Sequence, residues 1–101
     1  MSRFKICLAI FLAIAVNTAQ SASIKEGGSV YQRECAMCHG MSGMSSMAGA
    51  PNFKRGQGLM KPDVSLVEHL KNGKNACPSF LGILRDRQMY DVVAFIRTLY
   101  P

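Results

Sequence analysis

Apolar residues recur at three- and four-residue steps near the end of the chain. Met89, Val92, Val93, Ile96, Leu99 and Tyr100 in DRQMYDVVAFIRTLY form one stripe, the pattern of an amphipathic helix lying on a core. Asp86 near its start suits the positive end of the helix dipole. DVSLVEHLKNG repeats the pattern through Val64, Val67 and Leu70, with Asp63 placed to cap it and Asn72-Gly73 to end it. GGSVYQRECAMCHG reads as another short helix, in which Val30, Tyr31 and Glu34 to Cys38 follow Gly27 and Gly28. Between these lies GMSGMSSMAGAPNFKRGQGLMKP, rich in Gly, Ser, Met and Pro and without a period, hence a loop. Loops of that length are uncommon in a compact domain unless they wrap something. No segment alternates apolar and polar positions as a strand would. The expectation is an all-α fold of three or more short helices with long loops and no internal repeats.

The first residues change what counts as structure. Arg3 and Lys5 precede the apolar run ICLAIFLAIAV, residues 6–16, and small or polar residues follow in TAQSAS. This is the layout of a secretory leader, and the run is shorter than the roughly 20 residues of a membrane span. Cys7 lies too near the start to serve as a lipidated N-terminal cysteine. Residues 1–22 are therefore expected to be a removed signal peptide, cut near Ser21 to Ser23, and residues 23–101 the mature domain, in the periplasm or an equivalent oxidising lumen. Such a small chain has a marginal core unless a staple, a metal or a buried cofactor adds to it.

The formal net charge is +6, but the cations stand singly. No run tracks a phosphate backbone and no nucleic-acid motif is present, which excludes a nucleic-acid role. Lys54, Lys61 and Lys74 fit steering toward an acidic protein partner, or a plain solvated face.

Without the leader the cysteines are Cys35, Cys38 and Cys77, an odd set that cannot pair internally. The segment CAMCH, Cys35 to His39, has the C-x-x-C-H spacing of covalent haem c attachment: thiols one helical turn apart reach the two vinyl groups of one porphyrin, and the adjacent imidazole turns to the iron. Other readings of the same residues are a thioredoxin-like CxxC, which lacks the strand that should precede it, and a zinc site from Cys35, Cys38, Cys77 and His69, which lacks a second paired-ligand motif. A Cys35–Cys38 disulfide would be strained and leaves His39 unexplained.

Over nearly all of the mature segment the chain resembles the class I c-type cytochromes. In that family a glycine and an aromatic residue before the first haem cysteine pack on the last helix; Gly27 and Tyr31 match by spacing, with Val92 and Phe95 as the facing positions. AGAPNF is similar to the haem-edge loop whose proline supports the proximal histidine, which makes Pro51 the candidate. The resemblance implies the class I cytochrome c fold around one covalent haem c, with His39 as proximal axial ligand. Many such cytochromes read like GKNAMPSF before the last helix, where the methionine is the sixth ligand. Here the stretch is GKNACPSF, so the implied axial pair is His39 and Cys77.

A thiolate is anionic and electron-donating, so this ligation implies a low reduction potential. The first expectation is electron transfer without bond chemistry, beside a redox protein partner. The alternatives are a CO or NO binder in which Cys77 is a displaceable cap, and a haem subunit of a sulfur-oxidising type of enzyme. The chain is also similar to the His/Cys-ligated paired-subunit cytochromes of anammox bacteria, which implies a heterodimer with a second c-type cytochrome. Met60, Met41, Met44, Met47 and His69 remain substitute ligands, and Cys77 has the alternatives of a buried free thiol or a disulfide to a partner chain.

Overall fold

The computed structural model describes residues 21–101. The expected leader, residues 1–22, lies outside the described residues as far as residue 20. Among the described residues there are four α-helices and no strand: α1 (Ile24–Glu34), α2 (Ala36–His39), α3 (Asp63–Asn72) and α4 (Asp86–Thr98). A single 3₁₀ turn, Phe53–Arg55, interrupts the long loop between α2 and α3.

The fold is organised by α1 against α4. Ser23 caps α1 by accepting the Glu26 N–H on its hydroxyl at 3.2 Å, which satisfies a donor that the first turn leaves over. Gly27 faces α4 so closely that a Cβ there would run into the backbone carbonyl of Asp91 and reach Phe95. The glycine weakens α1 locally but lets two helix backbones meet. Tyr31, one turn on, is fully buried, its ring 5.2 Å from that of Phe95. On the facing helix Met89, Val92, Val93 and Ile96 are buried, and Val67 of α3 joins them in one cluster with Phe80 and Leu84.

Three local expectations are corrected. The segment expected to be one helix through Cys38 breaks at Cys35, whose φ of −121° leaves the helical region. The break aims α2 so that Ala36 is buried while Met37 is 91% exposed. Asp63 does not cap α3: Pro62, with its φ near −60°, occupies the cap position, and the Asp63 carboxylate is held by Arg97 at 2.7 Å. Val64 and Tyr100 lie outside the core at 61% and 54% exposure, the first on the outer face of α3 and the second beyond the end of α4.

Arg97 ties the helices together. Its guanidinium donates to the carbonyls of Leu59 (2.7 Å) and Lys61 (2.6 Å) and to Asp63 Oδ1 (2.8 Å), a planar fork spread over three acceptors. This pins the loop leading into α3 to the far end of α4.

Candidate functional site

Cys35 and Cys38 flank the break between α1 and α2, both half-buried and both free thiols. The turn that carries them is closed by backbone bonds from Cys38 N–H (3.2 Å) and His39 N–H (3.0 Å) to the Cys35 carbonyl. It is tied down by Tyr31, whose hydroxyl donates to the Gly40 carbonyl at 2.7 Å, and by Ser46, whose hydroxyl donates to the Met37 carbonyl at 2.9 Å. Burial pushes the Cys35 thiol up to about 12, with Cys77, Glu34 and Cys38 adding to the effect in that order. Cys35 is thus held as a neutral thiol in a largely apolar setting.

The imidazole of His39 is fixed on two sides. Its Nδ1 lies 3.1 Å from the Pro51 carbonyl, which can only accept, so Nδ1 carries the hydrogen and the Nε2 lone pair is left for a metal. The ring stacks on Phe53 at 4.3 Å and an interplanar angle of 13°. Phe53 in turn lies 6.5 Å from Tyr31, so one aromatic chain runs from Phe95 through Tyr31 and Phe53 to His39.

Cys77 reaches this region from the loop between α3 and α4. Lys74 and Cys77 exchange both backbone hydrogen bonds at 2.9 Å, with Asn75 at φ +54° making the tight turn between them. Asparagine tolerates that left-handed conformation better than most residues. Gly73, at φ +70°, is required just before: a Cβ would stand 2.7 Å from the Ser79 nitrogen. Beyond Cys77 the loop is anchored by Ser79 Oγ to the Lys71 carbonyl at 2.5 Å and by Phe80 N–H to the Leu70 carbonyl at 2.8 Å. The thiol is half-buried against the core cluster, and its pKa is raised, first by burial and then by Cys38. Cys35 of the C-x-x-C-H segment packs against the same cluster.

His69 of α3 borders the same region. Its pKa is lowered, first by burial, then by Lys74, Lys61 and His39. Among the described residues no three His, Cys, Asp or Glu side chains converge to hold a bare metal ion. The zinc reading of Cys35, Cys38, Cys77 and His69, already short of a second paired-ligand motif, gains no support from the structure. Two thiols one helical turn apart, beside an imidazole with an open Nε2, suit a wide planar metal complex joined at its edge; the residues fit a covalent haem.

Cys35, Cys38 and His39 share one turn, Pro51 meets His39, and Cys77 packs on the core cluster that Cys35 also touches, while Tyr31 supports the turn from behind through Gly40. Met37, Met41, Met44 and Met60 are largely exposed. Phe53 is the participant that the sequence pattern missed. It sits in an aperiodic loop, and only its place two residues after Pro51 in APNF hints at it.

Residues 22–96 match the family described as cytochrome c oxidase, cbb3-type, subunit III. The chain is 33% identical over 99 residues to cytochrome c6 of Thermosynechococcus vestitus, a match covering 93% of this chain and 88% of the relative. It is 34% identical over 77 residues to cytochrome c6 of Parathermosynechococcus lividus, covering 74% and 88%. Among solved structures, cytochrome c6 of the diatom Phaeodactylum tricornutum superposes with a TM-score of 0.63 at 22% identity, covering 76% of this chain and 93% of that one. The KustC0563 c-type cytochrome superposes with a TM-score of 0.67 at 21% identity, covering 74% and 98%. These last two likenesses concern the fold.

Proposed function

The chain belongs to the class I c-type cytochromes, a family that binds one covalent haem c, and from that premise we propose that it carries single electrons through a haem with His39 and Cys77 as axial ligands. Cys35 and Cys38 would hold the group as thioethers. When bound, haem c supplies a one-electron ferric/ferrous couple. The remaining work falls to side chains of this chain. The Pro51 carbonyl keeps the hydrogen on His39 Nδ1 and so keeps Nε2 available, while Phe53 fixes the plane of the ring. Cys77 contributes the anionic ligand that sets a low potential.

The observation that carries the reading is the placement of Cys77: a turn hydrogen-bonded on both sides sets its thiol against the core cluster on which Cys35 of the C-x-x-C-H segment also packs. That anchoring supports a permanent ligand and an electron carrier over a displaceable cap for CO or NO. Exposed Lys54, Lys61 and Lys74 suit an acidic redox partner, and a second c-type cytochrome in a heterodimer is the assembly this reading favours.

The reading includes export to the periplasm or an equivalent lumen, with a leader cut near Ser21 to Ser23. Among the described residues no helix is long and apolar enough to cross a membrane. A spectroelectrochemical titration of the holoprotein tests the function. A single reversible one-electron wave, at a potential below that of the Cys77→Met variant, is expected. Equal potentials in the two proteins would overturn the role of Cys77, and irreversible reduction would overturn the role of carrier.

A further inference from the structure

Among the described residues Asp91 is the one buried charged side chain, 2% exposed on the inner face of α4. Its Oδ1 accepts the backbone N–H of Ser23 at 2.7 Å, across 68 positions of sequence. A single neutral amide donor is a weak partner for a carboxylate taken out of water, where a charge needs an opposite charge or several hydrogen bonds. The concavity beside it is lined by Ser21, Ala22, Asp63, Arg87, Tyr90 and Asp91. Asp63 is already paired with Arg97. Arg87 brings a guanidinium to the same lining. Lys25 and Glu26 of the first turn of α1 are exposed beside it. Ala22 lies one residue before the nitrogen that Asp91 holds.

We infer that the chain is cut between Ser21 and Ala22, and that the α-ammonium so created enters this concavity as the counter-ion of Asp91. Ala19 and Ser21 give the small-x-small pattern read by leader peptidases, and Ser21 and Ala22 are exposed. The step is hydrolysis by a protease of that class. Water adds across the peptide bond, Ser21 leaves as a carboxylate with the leader, and Ala22 keeps a protonated amine. Processing thereby completes the α1–α4 packing, because the new charge sits where α1 begins and the carboxylate belongs to α4. The inference rests on the export reading above.

The test uses the exported, haem-loaded protein. Its intact mass gives the first residue, and Ala22 is expected. The α-amine, labelled by ¹³C reductive methylation, is then titrated by NMR in the wild type and in Asp91→Asn, which keeps an oxygen to accept the Ser23 N–H. An ammonium beside a carboxylate titrates above its ordinary value of about 7.7–8.0, here by roughly one pH unit in the wild type, with return to the ordinary value in the variant. Because this pKa is raised on folding, the stability it contributes is present below about pH 8 and lost as the pH rises further. A different first residue, or the same titration in both proteins, overturns the inference. An uncut leader on haem-loaded protein would instead sink the export reading on which it rests.

Discussion

Replacing Gly27 by alanine sets two opposite effects against each other. Alanine favours the helical backbone of α1 by about 1 kcal/mol over glycine. Its methyl, however, is driven into the Asp91 carbonyl and against Phe95 Cβ at 3.0 Å, and backbone cannot rotate away as a side-chain tip can. The helices must separate, loosening Tyr31 against Phe95 as well. Overpacking of this kind costs about 3 kcal/mol at its upper range, so the net loss is about 2 kcal/mol, or roughly 8–16 °C in Tm for a domain of this size. Gly28→Ala is the control. There the methyl meets the Phe95 ring edge at 3.1 Å, which can tilt, and the gain in helix propensity leaves the variant within about 0.5 kcal/mol of wild type. Thermal unfolding of the holoproteins, followed by far-ultraviolet circular dichroism, compares the two. A Gly27→Ala protein as stable as Gly28→Ala would refute the close α1–α4 approach.

Other outcomes follow from the same contacts. Tyr31→Phe removes the hydroxyl that holds the Gly40 carbonyl and lowers stability by about 1 kcal/mol in urea unfolding. In the wild type that phenol is pushed up to about 12, by burial and then by Cys35, so its share of stability is complete below pH 10 and lost between there and about 12; absorbance near 295 nm should show one late-titrating tyrosine. Arg97→Met, which frees the carbonyls of Leu59 and Lys61 and the Asp63 carboxylate, should cost about 2 kcal/mol and raise hydrogen exchange at the start of α3. His69 has a lowered pKa, so the stability it contributes is present above its ordinary 6.5 and lost as the pH falls; His69→Gln should flatten the acid limb of the stability profile.

The helices were legible where burial repeats along one face. Met89, Val92, Val93 and Ile96 sit at the spacing that a single face of α4 imposes, and all are in the core. The stripe misled at Tyr100 because spacing does not show where a helix stops, and α4 stops at Thr98. The break at Cys35 had no signal either, since no glycine or proline marks it. In the site, the residue types of CAMCH announced themselves, and Pro51 lies where its carbonyl meets His39. Phe53 was hidden because the loop that carries it has no period, and Arg97 because a cation on a helix reads as a solvated one. The turn that aims Cys77 was partly readable, as Gly73 and Asn75 are the residue types that accept a positive φ.

The central claim is that His39 and Cys77 share one iron. Low-temperature EPR and absorption spectra of the ferric holoprotein, beside Cys77→Met, test it most directly. A low-spin thiolate signature that disappears in the variant, with a potential raised on the order of 0.1 V or more within the roughly 0.8 V that axial ligands span, is the expected result. Identical spectra from the two proteins would contradict the claim and move the sixth ligand away from Cys77.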